Sequence, residues 1–142
     1  VLQRVSRASV TVDGAVTGSI GPGLVALVGV APADGPAEVA TMARKIAELR
    51  ILDRERSVQD AVTAGEPVGV LLVSQFTLYA DVRKGRRPSW NGAAPGPVAE
   101  PAVAAVADEL RARGVPVAEG VFGAFMSVEL VNEGPVTIIL DV

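Results

Sequence analysis

Residues 68–77 read Val68-Gly69-Val70-Leu71-Leu72-Val73-Ser74-Gln75-Phe76-Thr77: an apolar run that ends in a hydroxyl, an amide, an aromatic ring and a second hydroxyl. A short run that is apolar on both faces reads as a strand buried between layers. Residues 24–30, Leu-Val-Ala-Leu-Val-Gly-Val, have the same character and predict a second buried strand. Two such strands need cover, and the cover is legible on either side of them. Asp34-Gly35-Pro36 opens a helix whose Val39, Met42, Ala43, Ile46 and Leu49 share one face. A loop rich in Gly, Ala and Pro at 91–97 leads to a second helix, with Val103, Val106, Ala107 and Leu110 inward and Gly114 as its C-terminal cap.

The rest of the chain reads as short strands and turns. Residues 5–11 are β-branched with partial alternation, Asp13-Gly14 is a two-residue hairpin turn, and 15–20 returns toward Gly21-Pro22-Gly23. Residues 51–52 read as a short strand, 53–66 as a polar loop, and 115–118, 125–131 and 136–140 as three closing strands. About eight strands and two helices predict an α/β fold. Its mixed, largely antiparallel sheet layers carry two packed helices, in a single domain spanning 1–142.

Composition narrows the chemistry. The 142 residues are 49% hydrophobic and 20% charged, in the range of a folded globule. The longest apolar run, 24–31, is too short to span a bilayer, and the expectation is a cytoplasmic protein away from membranes. There is no Cys and no His. That removes disulfides, Ser-His-Asp and Cys-His catalysis, and ordinary zinc sites. Proton transfer in an enzyme of this composition falls to carboxylates, hydroxyls, Lys, water, backbone or the substrate itself.

Four segments are candidates for chemistry. Ser74-Gln75-Phe76-Thr77 places polar groups at the end of a buried strand, where sites are commonly built, although a hydroxyl-capped turn looks the same. Arg83, Lys84, Arg86 and Arg87 surround Gly85; this patch suits phosphates or is simply a solvated loop, since net charge is −3. Phe122, Phe125 and Met126 cluster in a chain only 4% aromatic, as core or as a pocket wall beside Gly123. Asn132-Glu133-Gly134-Pro135-Val136-Thr137 puts Gly-Pro before an apolar stretch, either as a turn launching a strand or as a rigid probe.

Taken in order, SQFT at 74–77, KGRRPS at 84–89, FGAFM at 122–126 and NEGPVT at 132–137 resemble the bacterial D-aminoacyl-tRNA deacylase family. RVSRASVTVDG near the start and GPGLVALVGV at 21–30 extend the resemblance over almost the whole chain. It departs at 53–66, which lacks a Met-Asn segment common in the family, and at Trp90 and Leu52, where Phe is more usual. The resemblance implies hydrolysis of the ester joining a D-amino acid to the terminal adenosine of tRNA, by a homodimer with active sites at the subunit interface and no metal or organic cofactor. It implies that Ser74, Gln75, Phe76 and Thr77 line the site, with Phe122, Met126 and Ala94 (or Ala93) beside them. Gly134-Pro135, in cis, would reach in from the other subunit and reject L-aminoacyl groups by collision, leaving glycyl-tRNA mischarged on tRNA-Ala a substrate. Lys84, Arg86 and Arg87 become candidate tRNA contacts. With no base to activate Thr77, substrate assistance by the ribose 2′-OH is favoured over a covalent Thr77 nucleophile. A non-catalytic dimeric RNA- or nucleotide-binding module is the alternative.

Overall fold

The computed structural model describes all of residues 1–142, and its sheet is organised around the first strand. Strand β1 (Leu2–Val12) pairs antiparallel with β2 (Ala15–Ile20) through residues 8–12 and with β3 (Gly23–Val28) through residues 2–5. Its opposite edge pairs antiparallel with β6 (Ser127–Ile138). The hairpin turn has φ values of 49° at Asp13 and 78° at Gly14, the left-handed pair that a tight two-residue turn requires.

Beyond β3 the sheet becomes parallel: β3 pairs with β4 (Gly69–Ser74), and β4 with β5 (Val117–Glu119). Parallel neighbours need long crossovers, and the helices supply them. Helix α1 (Pro36–Glu48) lies between β3 and β4 in the chain, and α3 (Gly96–Ala112) between β4 and β5. β2 folds back over β5 and nearly closes the sheet. Gly18 lies so close there that a Cβ would stand 2.5 Å from the carbonyl oxygen of Glu119.

The double-faced apolar run now has its reason. Leu24, Ala26, Val70 and Leu72 face the helices and pack with Ile46, Ala47, Val106 and Leu110 in one large cluster. Val25, Leu71 and Val73 alternate with them and face the curl of the sheet, against Val5, Ala8 and Val10. Each fully buried Val or Leu contributes about 1.5–3 kcal/mol, so β4 is anchored from both sides.

The two long helices start and stop on local chemistry. The carboxylate of Glu38 accepts from the N–H of Gly35 at 2.8 Å, closing the first turn of α1. That bond holds the Glu38 carboxyl below its usual range. At the end of α3, Gly114 has φ +81°; its N–H donates to Arg111 and that of Val115 to Leu110, a Schellman stop.

Some expectations are corrected. There are six strands and three α-helices rather than eight and two. Residues 53–66 are not a loop: a 3₁₀ turn at Asp53–Glu55 precedes helix α2 (Val58–Thr63). Ser57 Oγ accepts from the N–H of Asp60 at 3.0 Å while the Asp60 carboxylate accepts from the N–H of Ser57 at 2.9 Å. Residues 51–52 join no ladder; Leu52 instead turns into the helix-side core. The predicted strands at 125–131 and 136–140 are one strand, β6, with a bulge. Gln3 pairs with Thr137 and Val5 with Asn132, so five steps along β6 match two along β1 and three residues loop outward.

Candidate active site

β4 ends at Ser74, and the next N–H, of Gln75, donates to the carbonyl of Val28 at 2.7 Å. That bond ties the exit of β4 to the end of β3. The chain then makes a single 3₁₀ turn, Phe76–Tyr79. Between these strand ends and the start of α3 lies a cavity of about 190 Å³. Ser74 and Gln75 form its polar side, and Val28, Val30, Phe76, Ala94, Ala99 and Val103 its apolar wall. Phe122 and Gly123 complete the rim, and no titratable side chain lines it. A mostly apolar pocket with a few convergent polar groups is the usual form of a small-molecule site.

Inside this turn, the Gln75 amide donates from Nε2 to Thr77 Oγ1. The Thr77 oxygen therefore accepts a proton donor rather than facing a base. Its hydroxyl hydrogen is left for another acceptor, and no carboxylate or amine is bonded to it. At the start of a helical turn the first backbone N–H groups have no acceptor within the turn, which applies to Phe76 and Thr77.

The structure brings together Ser74, Gln75, Phe76, Phe122 and Ala94, and decides between Ala93 and Ala94 in favour of the latter as a lining residue. Thr77 stands one hydrogen bond behind the lining. Met126 does not line the cavity. Its sulfur packs over Gly120, 2.7 Å from where a Cβ would be, and its side chain joins the cluster inside the curl. Phe125 belongs neither to the core nor to the wall: it is fully exposed.

The basic segment forms a separate exposed loop closed by an antiparallel bridge between Asp81 and Ser89. Arg83 is engaged with Asp81 at 2.6 Å, which pushes the Asp81 carboxyl below its usual range. Lys84, Arg86 and Arg87 take part in no ion pair. Trp90, which follows this loop, meets Phe76 edge-on at a ring separation of 5.4 Å and an interplanar angle of 77°. The loop and the cavity mouth are thus joined through two aromatic rings. The sequence reading missed this contact, and it missed the wall formed by Ala99 and Val103. Their i, i+4 spacing on α3 was the available signal.

Gly134-Pro135 is absent from this cavity. The peptide bond between the two is cis, and the pair sits in the bulge of β6. Its neighbour Glu133 lies beside Gly23 and Val68, at the points where the parallel strands β3 and β4 begin. Ser74 is at the other end of β4, roughly 17 Å away along a strand that rises about 3.3 Å per residue. Within one chain the two signature segments are therefore at opposite ends of the sheet.

The model of the D-Tyr-tRNA(Tyr) deacylase family matches residues 1–141. The chain belongs to that family. A D-aminoacyl-tRNA deacylase of Beutenbergia cavernae is 67% identical over 99% of this chain and 97% of its own length. One of Thermobifida fusca is 63% identical over 100% and 98%. Among solved structures, the c-Myc DNA unwinding element binding protein superposes with a TM-score of 0.88 at 38% identity, covering 99% of this chain and 96% of the other. A probable eukaryotic D-amino acid tRNA deacylase superposes with a TM-score of 0.77 at 16% identity, covering 94% and 93%, which speaks for the fold. No helix is long and apolar enough to cross a membrane, and no group of three His, Cys, Asp or Glu stands close enough to hold a metal ion.

Proposed function

We propose that the chain hydrolyses the ester of D-aminoacyl-tRNA to free D-amino acid and tRNA, with the cavity at Ser74-Gln75-Phe76 as the reaction site. The observation that carries the reading is a cavity with hydroxyl, amide and backbone groups at one side and no acid or base in its lining. Curated relatives of this name match it at high identity over its full length. Such a lining suits an attack by water in which the substrate contributes its own proton relay.

Water adds to the ester carbonyl, and the oxyanion that forms is held by the N–H groups of Phe76 and Thr77. The ribose 2′-OH relays the proton released by the water to the departing 3′-oxygen. The C–O ester bond then breaks to give a carboxylic acid and a free 3′-hydroxyl. The Thr77 side chain stands behind the cavity lining and does not attack, in keeping with the Gln75 amide donating to it. Deacylation of D-Tyr-tRNA by the pure protein tests the activity. Paired measurements with Thr77→Ala and with a 2′-deoxy terminal adenosine test the route. A dead Thr77→Ala variant together with normal cleavage of the deoxy substrate refutes it.

Chiral selection is assigned to Gly134-Pro135 of a second copy. Three features support the assignment: the bulge projects from the sheet, it is exposed, and it cannot reach the cavity of its own chain. The second copy has a surface to use, because β6 leaves one edge unpaired and Val128, Val131 and Phe125 lie exposed along and before it. In the resulting homodimer, backbone of the bulge approaches the substrate Cα, so an L-side chain collides with it and a D-side chain points away. Glycine has no side chain to collide, so glycyl-tRNA, including that mischarged on tRNA-Ala, is a substrate. Lys84, Arg86 and Arg87 bind the tRNA backbone. The expected setting is the cytoplasm, with no cofactor.

A non-catalytic nucleic-acid-binding role is the second reading, favoured by the DNA-binding name of the solved relative at 38% identity. Binding of tRNA without ester release by the pure protein is its signature.

A further inference from the structure

We infer that Asn132 is a positioning residue for the Gly134-Pro135 bulge and that it sets the sharpness of chiral discrimination; the inference rests on the gate assigned above. Where β6 leaves the ladder, the Asn132 side-chain amide donates from Nδ2 to the carbonyl of Arg4 at 2.8 Å and to that of Val136 at 3.1 Å. The first acceptor belongs to the β1 residue that the bulge skips, between the pairs at Gln3 and Val5. The second lies on the far side of the bulge. One nitrogen therefore clasps the base of the loop, replacing the ladder bonds that the extra residues displace.

Only a primary amide meets this demand at this length. It carries two N–H donors on one atom, and both acceptors are carbonyl oxygens. A carboxylate of nearly the same shape has no donor and would set its oxygens against both carbonyls. The remaining atom of the amide matters too. A Cβ at Gly134 would stand 3.2 Å from Asn132 Oδ1, so the side chain of Asn132 fills the inner side of the bulge beneath residue 134. Two other contacts steady the loop, Arg4 Nε to the carbonyl of Glu133 at 3.1 Å and Gln3 Nε2 to Thr137 Oγ1 at 3.2 Å. Each of these holds one side; Asn132 spans both. The residue is exposed, so its bonds compete with water and add little to global stability. What they restrict is the direction in which Gly134 and Pro135 point.

The test compares kcat/KM for D-Tyr-tRNA and L-Tyr-tRNA in wild type and Asn132→Ala, with the melting temperature recorded alongside. The expected result is a fall of about tenfold or more in the D-to-L ratio, with the melting temperature moved by no more than a few degrees. An unchanged ratio overturns the inference, whatever happens to the overall rate. Asn132→Asp serves in place of the alanine variant if that one does not fold, with the same two outcomes. Deleting residues 133–135, in parallel, separates the two levels. If the deletion also leaves the ratio unchanged, the gate itself is absent. If the deletion collapses the ratio while the Asn132 variant keeps it, the gate stands and only the positioning role of Asn132 fails.

Discussion

The two ends of the parallel strands are built on opposite plans. At the exit of β4, side chains converge: Ser74, Gln75, Phe76 and Phe122 surround a cavity whose walls are packed from α3 and β3. At the entrance, backbone diverges: β6 departs from β1 by three residues and carries Gly134-Pro135 outward on a loop clasped by Asn132. The first end has a mostly apolar pocket with no titratable lining, and the second has a backbone projection beside a charged cleft lined by Arg4, Arg56, Glu66 and Glu133. A strand of this length keeps the two apart within one chain. The proposed division of labour places the reaction at the first end and selectivity at the second, supplied by another copy.

The largest expected effect attacks the cavity end. Ala99→Phe projects a ring from α3 into the cavity and should reduce D-Tyr-tRNA cleavage by about a hundredfold or more, because the ester can no longer be placed. Retained tRNA binding measured by filter retention would show that the loss is local. A 2′-deoxy terminal adenosine should slow cleavage by a similar factor of about a hundred, whereas Thr77→Ala should stay within about tenfold of wild type. These results reversed would make Thr77 the nucleophile and the 2′-OH a bystander.

At the bulge end, Gly-tRNA should be cleaved within about tenfold of the D-Tyr-tRNA rate, since exclusion depends on a side chain that glycine lacks. Resistance of Gly-tRNA would mean that the projection recognises D-side chains rather than rejecting L ones. A smaller effect belongs to the basic loop beside the cavity mouth. Arg86→Ala with Arg87→Ala should weaken tRNA binding about tenfold at low salt, flatten its salt dependence and leave the D-to-L ratio unchanged. Smallest of all, Ser57→Ala removes the cap of α2 and should cost about 1 kcal/mol in denaturant unfolding with kcat/KM unaltered, because α2 touches neither end.

The contrast between the ends also explains what could be read in advance. β3 and β4 were legible because burial on both faces leaves an uninterrupted apolar run, and α1 and α3 because their inward faces keep helical spacing. Helix α2 was missed: it is six residues long and only Val58 and Ala61 are buried. Its capping residues, Ser57 and Asp60, were the available mark. The β6 bulge was misread as a break between two strands. Gly134-Pro135 withholds ladder bonds, and nothing in a linear pattern shows that Asn132 replaces them with its side chain. Ser74 through Thr77 could be singled out as polar groups ending an apolar run, but their apolar wall could not. Ala99 and Val103 look like any helix face until the strand ends are set beside them. Met126 was drawn toward the site by its nearness in sequence to Phe122, yet the chain reverses at Gly123, whose φ is +74°, and sends the two side chains to different clusters.

The division of labour between copies is tested most directly by mixing a blocked variant with an unselective one. One carries Ala99→Phe, with a blocked cavity and an intact bulge; the other lacks residues 133–135, with an intact cavity and no bulge. The two are denatured together and refolded, so that subunits exchange at random. If the bulge of one copy completes the cavity of the other, half of the dimers are mixed and each has one complete site. Cleavage of L-Tyr-tRNA per deletion subunit should then fall by about half, because half of those subunits gain a gate from a blocked partner, while cleavage of D-Tyr-tRNA is kept. If L-Tyr-tRNA cleavage per deletion subunit stays as high as in the deletion variant alone while wild type survives the same treatment, each chain must complete its own site, and the gate cannot act across the interface.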